Sequence, residues 1–122
     1  MTILKPLDPS FPIDRQLGLD ASPVVLVNLF FVDGPDEQAL IDTWAEDAAF
    51  MKRQPGFIST QLHRAIGDNP TYFNYAVWES TDAFRAAFSH PEFRAKLSSY
   101  PASTVASPHL FQKVGVSGIC TA

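Results

Sequence analysis

Tyr72-Phe73-Asn74-Tyr75-Ala76-Val77-Trp78-Glu79-Ser80 is the stretch on which the fold turns. Aromatic and apolar residues dominate it, which predicts a strand over Tyr72 to Trp78, and Ser80 supplies a cap for the helix that follows. Side chains alternate along a strand, so Tyr72, Asn74, Ala76 and Trp78 share one face while Phe73, Tyr75 and Val77 cover the other. Asn74 is the misfit. A buried amide without partners costs roughly 1–3 kcal/mol, so this one is either tied down by neighbours or offered to a ligand.

Working outward, Phe57 to Ile66 alternates as a strand and Gly67-Asp68-Asn69-Pro70 has turn chemistry, so this segment and Tyr72 to Trp78 form a hairpin. Downstream, Phe84, Ala87 and Phe88 make a helical stripe, and His90-Pro91 restarts a second helical piece through Leu97. Upstream, Leu40, Trp44, Ala48 and Met51 recur at helical spacing between Asp36 and Arg53. Before that helix, Val24 to Val32 is apolar on both faces and reads as a strand covered from both sides. Ser98 to Pro108 reads as loop and Leu110 to Val116 as a fourth strand. The order predicts an α+β, ferredoxin-like βαββαβ antiparallel sheet with two helices on one face. Residues 1–23, with Pro6, Pro9, Pro12 and Pro23, read as an extended N-terminal arm lying across a neighbour; residues 24–118 form the domain and 119–122 a tail.

Stacking both helices on one face leaves the other bare. In the first strand that second face carries Val25, Val27, Leu29 and Phe31, so packing against another copy of the sheet is the simplest cover and a homodimer is expected. With 122 residues and 46% apolar content the chain is one domain with ample core. Nine Lys plus Arg against thirteen Asp plus Glu leave no basic stripe, so nucleic acid is not an expected partner. Cys120 is the sole cysteine, which excludes an internal disulfide and suits a reducing, cytoplasmic location. The Val24 to Val32 run is too short to span a bilayer, and Met1 to Leu19 lacks the charged head and apolar core of an export signal, so no membrane partner is expected.

His63, His90 and His109 are scattered, with neither His-x-His nor a second cysteine, so no metal site is expected. No glycine-rich phosphate loop and no Gly-x-Ser-x-Gly occurs. What remains is Asn28 in the first strand, His63 in the second, and Asn74 with Trp78 in the third. If the faces bearing them look toward the helices, they line one cavity walled by Trp44, Phe84 and Phe88, a shape suited to a flat aromatic ligand. Each has a plainer reading: a satisfied sheet amide for either Asn, core for Trp78, a backbone bridge for His63.

Pro55-Gly56-Phe57-Ile58-Ser59, His63, Asn74-Tyr75-Ala76-x-Trp78-Glu79-Ser80 and Phe93-Arg94-Ala95-x-Leu97-Ser98-Ser99-x-Pro101 together resemble the antibiotic biosynthesis monooxygenases of the dimeric α+β barrel superfamily. The likeness spans about residues 24 to 118, and is nearest to the cofactor-free branch that oxidises anthrones and related polyketides to quinones. It implies roles for Asn28, Asn74 and Trp78 in holding substrate and O2, and places His63 and Arg94 at the pocket, with Tyr72 among the substrate contacts. The branch carries a tyrosine where this chain has Phe84, so proton donation from that hydroxyl is lost or reassigned. Haem-degrading relatives carry a Trp and a His at positions that fall on Ala87 and Leu97, which implies no haem degradation here, and the likeness to the cofactor-free branch implies no cofactor.

The implied mechanism is removal of a proton from a phenol or activated carbon, electron transfer from the anion to O2, and collapse of a peroxide to a quinone. The amides would stabilise the oxyanion, His63 would be base or relay, Trp78 would stack on the ring and Arg94 would offset charge. A non-oxidative dimeric barrel, serving small-molecule binding, stress response or cyclisation, stands as the alternative.

Overall fold

The computed structural model describes residues 3–122. Its frame is a five-stranded sheet in the order β1-β5-β2-β4-β3, built from β1 (Ile3–Leu4), β2 (Val24–Phe31), β3 (Phe57–Arg64), β4 (Thr71–Trp78) and β5 (Val105–Phe111). The last four are antiparallel to one another, and their order β5-β2-β4-β3 is the ferredoxin-like arrangement expected from the element sequence. Four helices accompany them: α1 (Ile13–Gln16), α2 (Glu37–Lys52), α3 (Thr81–Phe88) and α4 (Pro91–Lys96).

The helix-side face of the sheet is the even-numbered face of β2. Val24, Leu26, Ala76 and Trp78 pack there against Phe50, Phe84, Ala87, Phe88 and Phe93, while Phe30, Tyr72 and Ala106 pack against Leu40 and Tyr100. Local chemistry fixes the helix starts. Ser80 Oγ accepts from the Ala83 amide at 3.1 Å, and His90 Nδ1 accepts from the Glu92 amide at 3.0 Å ahead of Pro91. Gly56, between α2 and β3, has φ +85, and a methyl group on it would run into the Ala83 side chain, so the turn needs glycine twice over.

The two ends of the chain differ from the sequence reading. The sequence predicts an extended arm over 1–23; Met1 and Thr2 lie outside the described residues, but the rest adds to this chain's own sheet and core. β1 pairs in parallel with Val105 and Ala106, and Ile13, Gln16 and Leu17 are buried. Gln16 is the anchor: its Nε2 donates to the Phe11 carbonyl at 2.7 Å and meets His109 Nδ1 at 3.1 Å, while its Oε1 accepts from the Leu110 amide at 2.7 Å. The segment therefore covers the outer edge of β5, which would otherwise be open to stray pairing. Replacing Gln16 with alanine leaves those backbone groups unpaired, and a loss of about 1–3 kcal/mol in urea unfolding is the expected result.

The sequence also predicts loop through Pro108 and a strand over Leu110 to Val116, whereas β5 runs Val105–Phe111. Proline misleads here for a physical reason. β1 pairs with residues 105 and 106, so among the described residues no strand lies outside Pro108, and a residue without an N–H is tolerated on that side.

Candidate active site

Asn28 and Asn74 stand directly opposite each other in the β2–β4 ladder, so both amides leave the sheet on the helix side, with Trp78 on the same face. They line one cavity of about 70 Å³, closed by Trp44 and Met51 of α2, Phe84 and Phe88 of α3, and Phe93 of α4. The sequence-predicted wall of Trp44, Phe84 and Phe88 is thus present. Leu4 of β1 lines the rim and is 42% exposed, so the N-terminal strand extends the floor to the edge of the sheet.

The two amides are held differently. Thr60 Oγ1 donates to Asn74 Oδ1 at 2.5 Å, which orients that amide. Asn28 Oδ1 is buried without any hydrogen-bond partner. Trp78 is 1% exposed and is fixed edge-on between Phe57 (centroids 5.4 Å) and Phe84 (5.7 Å), so its indole is a rigid wall. Phe84 brings no hydroxyl to this wall.

Three expected site residues are not in the lining. β3 bulges at Ile58: Phe57 opposes Trp78 but Ser59 opposes Val77, so the side-chain parity of β3 flips. Thr60 and Leu62 then share the face of Asn74, and His63 points the other way, its exposed ring stacked on Phe73 at 4.4 Å and 2°. Tyr72 faces the helices but sits beyond the cavity, its hydroxyl donating to Glu37 Oε1 at 2.7 Å, where Arg64 Nε also donates at 2.8 Å. These two donors hold the Glu37 carboxyl below its ordinary value. Arg94 is exposed, with its guanidinium 4.8 Å from the centroid of the Phe88 ring and outside the lining.

Of the cavity residues that escaped the sequence reading, Asp47 carries the most chemistry. Asp47, on α2, is 5% exposed; its Oδ2 accepts from the Tyr100 hydroxyl at 2.6 Å and its Oδ1 is buried with no partner. Burial pushes this carboxyl from its ordinary 3.8 up to about 6, against the Tyr100 hydrogen bond and the Lys96 charge, which pull it down, and with Glu46, which pushes it further up. A signal existed: Leu40, Thr43, Asp47 and Phe50 are the buried positions of α2, at spacings of three and four.

At about 70 Å³ the hollow is far smaller than the roughly 300–1,000 Å³ of ordinary ligand pockets, so fused rings do not fit without outward movement of a wall. The lining contains no histidine or cysteine. Among the described residues no cluster of His, Cys, Asp or Glu could hold a metal ion.

A ferredoxin-like α+β sheet whose helices enclose a small, mostly apolar cavity with a few inward amides defines a class of small ligand-enclosing α+β domains. The chain belongs to the antibiotic biosynthesis monooxygenase family, whose model matches residues 23–96. It is 37% identical over 94 residues to deoxynogalonate monooxygenase of Streptomyces nogalater, covering 77% of this chain and 79% of that protein. It is also 33% identical over 73 residues to the mycobilin-producing heme oxygenase of Mycobacterium tuberculosis, covering 60% of this chain and 70% of that one. Among solved structures it matches SnoaB, a cofactor-independent oxygenase from Streptomyces nogalater, with a TM-score of 0.70 and 35% identity over 80% of this chain and 99% of that one.

Proposed function

We propose that the protein is a cofactor-independent monooxygenase that oxidises a phenolic or polycyclic, anthrone-like substrate to a quinone with O2, working as a cytoplasmic homodimer. The observation that carries this reading is the Asn28 amide, whose Oδ1 is buried and unpartnered in the same apolar cavity as Asn74 and Trp78. A polar group kept unsatisfied at a cost of about 1–3 kcal/mol is there for something that is not part of the fold.

The chemistry balances without a resident redox group. Loss of one proton turns the anthrone into an electron-rich anion; one electron passes to O2, the two radicals join as a carbon peroxide, and loss of water leaves a carbonyl. One oxygen atom ends in the quinone and the other in water. The amide N–H groups of Asn74, whose oxygen Thr60 already occupies, donate to the developing oxyanion in a site where exclusion of water strengthens the bond, while Asn28 Oδ1 accepts from a substrate hydroxyl. Trp78 packs on the ring. Rings enter by displacing α4, a six-residue helix that contributes Phe93 to the wall. The dimer forms through the opposite sheet face, where Val27, Leu29, Phe73, Tyr75 and Val77 are all half-buried apolar or aromatic side chains.

Oxygen uptake by colourless, metal-free protein supplied with dithranol tests the reading. Quinone should form, with a drop of about 100-fold in kcat for Asn74→Ala and a comparable drop for Asn28→Ala. Unchanged turnover in both, and in Trp78→Phe, would remove these residues from the site. The small cavity favours one rival, a non-oxidative binder of small molecules, for which no oxygen is consumed at all.

A further inference from the structure

Proton removal needs an acceptor, and with His63 on the far face of the sheet the acceptor has to come from the cavity itself. We propose that Asp47 accepts the acidic proton of the substrate, taken from a phenolic or enolic O–H bound between Asp47 Oδ1 and the Asn28 amide. This rests on the oxidative reading above. Asp47 and Asn28 line one small cavity, and Oδ1 of each is buried without a hydrogen-bond partner. Both accept. A ligand that satisfies them must bring O–H donors, which selects phenols and enols over ethers, ketones and hydrocarbons of the same shape.

In the step itself the substrate O–H bond breaks, an O–H bond forms on Asp47 Oδ1, and the electron pair stays on the substrate oxygen as the phenolate or enolate. No oxidant is needed until O2 meets that anion. Tyr100 is a positioning residue: its hydroxyl holds Oδ2, so Oδ1 is the oxygen left without a partner. The charged groups acting on the carboxylate are Glu46 on its own helix and Lys96 from α4, with the Tyr100 hydroxyl from the turn after α4. The polar sheet residues that line the same cavity, Asn28, Asn74 and Thr60, are all neutral. With its carboxyl pushed up to about 6, Asp47 is ionised at pH 7 yet a stronger base than an exposed aspartate.

Two readouts on the full-length protein test this. Asp47→Asn, which keeps the shape and an oxygen for Tyr100, should lower kcat with dithranol about 100-fold or more. Calorimetry with 2-naphthol, a phenol used purely as a binding probe, should show affinity rising about tenfold between pH 5 and 7 in the unaltered protein and staying flat in Asp47→Asn. A variant with ordinary turnover and an ordinary pH profile overturns the proposal. Tyr100→Phe gives an independent arm should Asp47→Asn not fold. Losing a hydrogen bond that lowers the Asp47 value, it should move the rise to higher pH, and an unmoved rise overturns the proposal. If the probe binds with the Asp47-dependent profile but dithranol draws no oxygen, the oxidative reading fails while the Asp47 contact stands.

Discussion

Asp47→Asn is expected to raise the melting temperature by about 10 °C at pH 7 and by nothing at pH 4. The sign follows from the direction of the shift. The native carboxyl sits at about 6 against an ordinary 3.8, so between those values the native state holds a proton that the unfolded chain has released. Stability from this group is therefore complete below about pH 4, declines as pH rises, and is gone above about pH 6. The loss amounts to about 3 kcal/mol for a carboxyl that is 5% exposed. Asparagine cannot ionise and escapes it. The measurement is the difference between the two proteins in thermal unfolding from pH 4 to 8, in which every other titrating group cancels. A variant less stable at pH 7 would mean that the Tyr100 bond outweighs the burial of charge. A buried carboxylate that the fold holds at a cost, in the cavity where Asn28, Asn74 and Trp78 converge, is what a stability–activity trade-off leaves in a structure.

What the sequence made legible was whatever local chemistry announces. β4 and its face were readable from alternation alone, and the Ser80 and His90-Pro91 starts of α3 and α4 from capping chemistry. The hidden parts were hidden by longer-range causes. The Ile58 bulge inverts β3, and no local pattern marks it, so a parity argument starting at Phe57 carried His63 into a cavity that it never reaches. β5 was displaced because Ser107 and Pro108 read as loop until one knows that, among the described residues, no strand lies outside Pro108. α1 is only four residues long, too short for periodicity, and Gln16 anchors it to residues more than ninety positions away. Asp47 is the instructive miss. It sits one position before Ala48 of the stripe Leu40, Trp44, Ala48, Met51, and a wider stripe centred on the buried positions would have placed a charge in the core, which is the informative observation.

A single lysine in the exposed sheet face, Val27→Lys, is expected to turn the proposed dimer into a monomer while leaving the cavity intact. Val27 lies near the middle of that face, paired with Tyr75 on one side and His109 on the other. Its side chain points away from the helices and does not line the cavity, so the substitution leaves the cavity wall in place. Across a two-fold axis the same patch meets itself, so each dimer would have to bury two new ammonium groups in surroundings that are largely apolar. Burying an unpaired charge costs about 3–5 kcal/mol, and at 1.4 kcal/mol for each factor of ten that raises the dissociation constant by about 100-fold or more for each lysine. Sedimentation velocity at micromolar concentration should show the unaltered protein at twice the mass of the variant, with unchanged far-ultraviolet dichroism. Equal masses would mean that this face is not where copies meet. Because the residues of one chain already wall the cavity, the monomer should still bind 2-naphthol. Loss of that binding on dissociation would instead show that the second copy shapes the site, through β2 and β4, the strands that carry Asn28 and Asn74 on one face and the apolar patch on the other.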